Sequence, residues 1–137
     1  MNVTIRSMKL HGGAFGDRGG YRPTKEELET ENVEAVTTGA ATNLDRHIKN
    51  MAGFGIPVIV SINRFTSDTD AEIAALSIAA HASGAVDVTV TEVHAKGGAG
   101  GKDLANAVVK AVQDHVAAGR PFTPLFLNDA PIIDKME

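Results

Sequence analysis

The chain has 137 residues, a formal net charge of −4 and no cysteine, enough for one domain with a core of its own. The acidic balance argues against nucleic acid or an anionic membrane surface as a partner, since both reward dense Lys/Arg patches. Without cysteine there is no disulfide framework, thiolate zinc site or thiol nucleophile.

In chain order, VTIRSMKL (3–10) reads as a strand and HGGAFGDRGGYRP (11–23) as a Gly-rich loop. Thr24 with Glu27 fits a capping box that opens a short helix. A helical pair follows, roughly 31–38 and 41–53, stopped by Gly53 and Gly55. IPVIVSIN (56–63) is a continuous apolar run, the pattern of a strand buried on both faces. Thr69 and Glu72 form a second capping box, for a helix running to about Ser83. VDVTVTEV (86–93) is β-branched and reads as a strand. The glycines of 97–101 lead into a helix over about 102–118, with Leu104, Val108, Val112 and Val116 as its apolar face. PLFLN (124–128) reads as a last strand, and a helix begins near Pro131. The order β-α-α-β-α-β-α-β predicts an α/β fold, a mostly parallel sheet with flanking helices, as one domain over 1–137.

EVHAKGGAGGKDLA (92–105) has the outline of a phosphate-cradling loop: strand, glycines, helix. A P-loop reads GxxxxGK[ST], and two positions fail. Lys96 stands where the first Gly belongs, and Asp103 stands where Ser or Thr would hold magnesium. The glycines then serve either a ligand's close approach or a tight strand–helix turn. The histidines at 11, 47, 81, 94 and 115 make no H-x3-H pair and no carboxylate completes a metal spacing, so no protein-held metal is expected. No segment approaches the roughly 20 apolar residues that span a bilayer. The N-terminal MNVTIRSMKLHGG lacks a signal peptide's apolar run, and the expectation is a cytoplasmic protein.

Three segments, in order and covering nearly the whole chain, resemble one family. VTIRSMKLHGG (3–13) is similar to a signature VATIRALKxHGG. Residues 27–73 follow its pattern of helical pair, strand and N-x-F-x-x-D-T. TEVHAKGGAGGKDLA (91–105) is similar to SEVWAKGGxGGxxLA. The family is formate–tetrahydrofolate ligase, also called formyltetrahydrofolate synthetase. The resemblance implies ligation of formate to tetrahydrofolate through formyl phosphate, with ATP and Mg as co-substrates, in a homo-oligomer. It also implies an internal piece of a P-loop-NTPase-like domain, because the family's phosphate loop lies upstream of the HGG signature.

The resemblance gives Phe65 the role of an aromatic that stacks on folate, with His94 in place of the Trp on the other side. Lys96, Gly97 and Gly98 match the wall of that pocket, and Asn63, Arg6, Lys9 and His11 become candidate nucleotide or anion contacts. Read as a strand, 3–10 puts Lys9 and His11 on one face. Each residue also has a plain reading: Phe65 sealing a strand end, His94 and Lys96 on a solvated loop, and Lys9 on a polar edge. Asp68 either joins Asn63 in reading a base or caps the following helix. A non-catalytic folate- or nucleotide-binding module, or a structural fragment working with a P-loop-bearing chain, are the rival functions.

Overall fold

The computed structural model describes residues 1–13 and 23–135. Most of the Gly-rich stretch read as a loop at 11–23 lies outside the described residues. The chain runs β1 (Asn2–Val3), α1 (Ile5–His11), α2 (Lys25–Glu29), α3 (Val33–Gly39), α4 (Asp45–Ala52), β2 (Ile59–Asn63), α5 (Asp70–Ala82), β3 (Asp87–Thr91), α6 (Val93–Lys96) and α7 (Lys102–Ala117). The three strands are parallel in the order β1-β2-β3, with Asn2 opposite Ser61 and Ser61 opposite Thr89. The α/β class and the parallel sheet are as expected.

The first element is not. Residues 5–11 are helical, and only Asn2 and Val3 join the sheet. The Val-Thr-Ile run suggests a strand, but Thr4 is an N-cap. Its hydroxyl accepts from Ser7 N–H at 3.1 Å, and Ser7 Oγ completes the capping box. Ile5, Met8 and Lys9 then fall on one helical face and are buried.

The expected helical pair is nearly continuous: five residues in π geometry, Ala40–Leu44, join α3 to α4. Gly39 is helical there rather than a break, because it is a crossing point. A Cβ on Gly39 would lie 2.0 Å from the Met8 carbonyl oxygen, and one on Gly12 would lie 1.9 Å from that of Ala35. Glycine at both places lets α1 and α3 meet backbone to backbone.

One sheet face and the helices α1, α3, α4 and α5 enclose the core, built on Ile5, Val36, Leu44, Val60, Ile62 and Leu76. The other face carries α7, which has no fully buried residue. Its sheet-side line is Leu104, Ala107, Ala111 and His115, each half-buried, while Val108, Val112 and Val116 are exposed. Steps of four residues advance 400° around a helix, so the expected valine stripe drifts off the contact line. The expected strand at 124–128 does not form. That segment follows a tail docked on the α4–β2 turn, where Thr123 N–H donates to the Phe54 carbonyl at 2.9 Å and Phe122 stacks on Phe54 at 5.5 Å. A single 3-10 turn, Ile133–Lys135, stands where a helix was expected to begin.

Candidate functional site

The site lies beyond the carboxyl ends of β2 and β3, where ligands bind in open parallel sheets. Arg64 N–H donates to the Thr91 carbonyl at 3.0 Å, tying the two strand exits together. The segment after β2 then makes a tight turn. Asp68 N–H donates to the Phe65 carbonyl at 3.0 Å, and the Asp68 carboxylate accepts from Phe65 N–H at 2.8 Å. Asp68 therefore closes the Phe65 turn, and Thr69 caps α5; the expectation that Asp68 caps the helix is corrected. Burial pushes the Asp68 carboxyl above its usual value, although the Phe65 N–H pulls the other way.

Phe65 is half-buried. The guanidinium carbon of Arg6 sits 4.9 Å from the centre of its ring. Arg6 in turn donates to Glu29 Oε1 at 2.8 Å and to Ser67 Oγ at 3.3 Å.

The second strand exit belongs to β3. After Glu92, the short helix α6 carries His94 and Lys96 at the surface. Lys96 pairs with Glu92 one turn back, and that contact holds the Glu92 carboxyl below its usual value. A 3-10 turn, Gly97–Gly101, leads into α7. Its Gly100 carbonyl accepts from Glu92 N–H at 3.1 Å, and a Cβ on Gly100 would lie 2.5 Å from the Glu92 carbonyl oxygen. Here the glycine serves a turn folded onto its own strand exit. Over Gly97 and Gly98 the space is open. A cleft of about 720 Å³ runs between the sheet and α7, with His94, Asn63 and Thr91 at its polar end and Val108 and Val112 along one side.

Two of the expected anion contacts are placed apart. Lys9 and His11 do not share a face, since 9 and 11 are two positions along a helix rather than a strand. Lys9 is 1% exposed, with its ammonium 2.6 Å from Glu72 Oε1 and 2.9 Å from the carbonyls of both Leu28 and Thr30. Three acceptors use its three donors. His11 is exposed at the end of α1. The sequence reading missed Glu72 as Lys9's partner, and it missed Glu29 and Ser67 as Arg6's. Glu72 was visible only as a capping-box residue. Among the described residues no group of three His, Asp or Glu gathers to hold a metal.

Residues 1–137 match the family model described as formate–tetrahydrofolate ligase. The chain belongs to the formate–tetrahydrofolate ligase family. It is 44% identical over 134 residues to the formate–tetrahydrofolate ligase of Granulibacter bethesdensis and 42% identical over 135 residues to that of Maricaulis maris. The Leuconostoc citreum protein is 41% identical over 134 residues. Each alignment covers 98% of this chain, but the chain spans only about 22% of the length of these relatives. Among the described residues no helix is long and apolar enough to cross a membrane.

Proposed function

We propose that this chain supplies one wall of the folate pocket of a formate–tetrahydrofolate ligase, acting in the cytoplasm. Phe65 stacks on the flat part of tetrahydrofolate, and His94, Gly97 and Gly98 face it from the neighbouring strand exit. The observation that carries this reading is the pairing of the two exits. Phe65 and His94 leave adjacent parallel strands that are bonded together at Arg64 and Thr91, with open space over Gly97 and Gly98. His94 is smaller than the indole of the family pattern, so folate binds more weakly through this wall. Lys96 is exposed and stands beside the wall, where it can trade Glu92 for an anionic end of the ligand.

The reaction is ligation of formate to tetrahydrofolate driven by ATP. The residues present do not fit a triphosphate. Lys96 and Asp103 occupy positions where a phosphate loop needs Gly and Ser or Thr, and the Gly97–Gly101 turn is bonded to Glu92. The phosphate loop and magnesium site belong to a P-loop-bearing part outside these 137 residues, joined in cis or in trans. This chain alone therefore has little or no ligase activity, because phosphoryl transfer rests on positioning and neutralising the γ-phosphate.

The test is calorimetric titration with tetrahydrofolate, with Phe65→Ala alongside. Saturable binding, weakened about tenfold or more in the variant as for loss of a stacking surface, is the expected result. No heat at millimolar ligand, or equal binding by both proteins, would sink the reading.

A further inference from the structure

We propose that Arg6 is a positioning residue for Phe65. The Glu29–Arg6 pair holds the ring as a ready-made platform, one face covered and the other presented to an electron-rich flat ligand such as a reduced pterin. This rests on the folate-wall reading above.

Phe65 sits in the short connection between β2 and α5, so no regular element fixes its side chain. One contact on the ring and two that brace the turn around it are present instead. The Asp68 carboxylate holds the Phe65 backbone N–H at 2.8 Å. The Arg6 guanidinium covers the ring at 4.9 Å. Ser67 ties the same guanidinium to the ring's own loop at 3.3 Å.

Arg6 is itself anchored from behind. Lys9 draws the carbonyls of Leu28 and Thr30 onto its ammonium, each at 2.9 Å. The residue between them is Glu29, whose carboxylate takes Arg6 at 2.8 Å. The buried Lys9–Glu72 pair thus fixes the end of α2, the end of α2 fixes Arg6, and Arg6 fixes the ring. Arg6 Nε is buried with no hydrogen-bond partner among the described residues, so the NH2 end alone anchors the guanidinium by hydrogen bonds.

Two physical gains follow. The ring's rotamer freedom is lost on folding rather than on binding, which is how preorganisation raises affinity. A cation on one face also draws π density toward itself, which eases the approach of an electron-rich ring to the other face.

The test compares Arg6→Met, Arg6→Lys and Phe65→Ala in tetrahydrofolate calorimetry, with NMR of the Arg6 side chain as a readout that needs no ligand. In the unliganded protein the Arg6 side-chain protons should be shielded by the ring, and the shielding should vanish in Phe65→Leu. Arg6→Met should weaken tetrahydrofolate binding roughly tenfold with the melting temperature kept, and Arg6→Lys should restore part of the loss. Unshielded Arg6 protons would overturn the proposal. So would Arg6→Met binding like the wild type while Phe65→Ala binds weakly, an outcome that leaves the folate-wall reading standing. Wild-type binding in both Phe65→Ala and Arg6→Met, or none in the parent chain, would remove that reading and this one with it.

Discussion

Glu72 works in two directions at once. Its Oε2 accepts from Thr69 N–H at 3.1 Å and closes the capping box of α5. Its Oε1 accepts from Lys9 at 2.6 Å and from Asn32 N–H at 2.8 Å, with the side chain fully buried. Burial pushes its carboxyl up, but the Lys9 hydrogen bond and the N–H groups of Asn32 and Thr69 outweigh it, leaving the group below its usual 4.5. A carboxyl lowered on folding stabilises above its unfolded value and loses that contribution as pH falls through the folded one. Asp68 has the opposite sign: raised by burial above its usual 3.8, it costs stability at neutral pH, and that cost eases on acidification. Urea unfolding at a series of pH values should show stability falling from about 4.5 downward. Glu72→Gln should cost about 3 kcal/mol at pH 7, the low end for leaving a buried partner charge unpaired, and should flatten the acid limb. An unchanged acid slope in that variant would refute the account. Lys9, which looks in the signature like a ligand contact, is thus a beam of the scaffold.

At the scale of elements, the crossing of α1 and α3 is set by what is missing from it. With Cβ distances of 1.9 and 2.0 Å to backbone oxygens, Gly12 and Gly39 cannot take a methyl group unless the helices separate. Gly39→Ala should cost about 1–3 kcal/mol, the range for overpacking, whereas Gly98→Ala, with open space around it, should stay within about 0.5 kcal/mol. Thermal unfolding of both variants measures the difference, and equal losses would contradict the crossing. The same crossing explains how far the sequence could be read. The buried run of β2 and the Thr-x-x-Glu boxes of α2 and α5 are local signals, and those elements form where expected. The helix at 5–11 was hidden because its capping box uses Ser7 rather than Glu, and because β-branched residues flank the cap. The gap expected between 38 and 41 is closed by helix, because the reason for a glycine at 39 lies on another helix. The walls of the candidate site were legible only through the family resemblance. The placement of Arg6 over Phe65 depends on tertiary folding, and no local pattern encodes it.

Across the whole molecule the sheet divides two unlike halves. One is a closed core. The other is α7 with Val109 and Val116 at 55% and 71% exposure, followed by a tail that leaves Phe122, Leu127 and Ile132 exposed. Exposed apolar side chains, where they adjoin, mark an interface or an aggregation liability. The purified chain should bind an environment-sensitive hydrophobic dye and show a mass that rises with concentration in light scattering. Val109→Lys with Val116→Lys should reduce both and leave the unfolding midpoint in place. A parent chain that stays monomeric and dark to the dye would argue the surface is harmless. The imbalance also divides the site. Phe65 is tethered through Arg6 and Glu29 to the core half, while His94 and its glycines hang from the helix with no buried side chain. Local opening costs least where fewest apolar groups must be exposed, so α7, with no buried side chain, should exchange its amide hydrogens faster than the helices of the core. On the proposed reading, Phe65 is the wall fixed to the core, and the His94 side is the wall expected to open first.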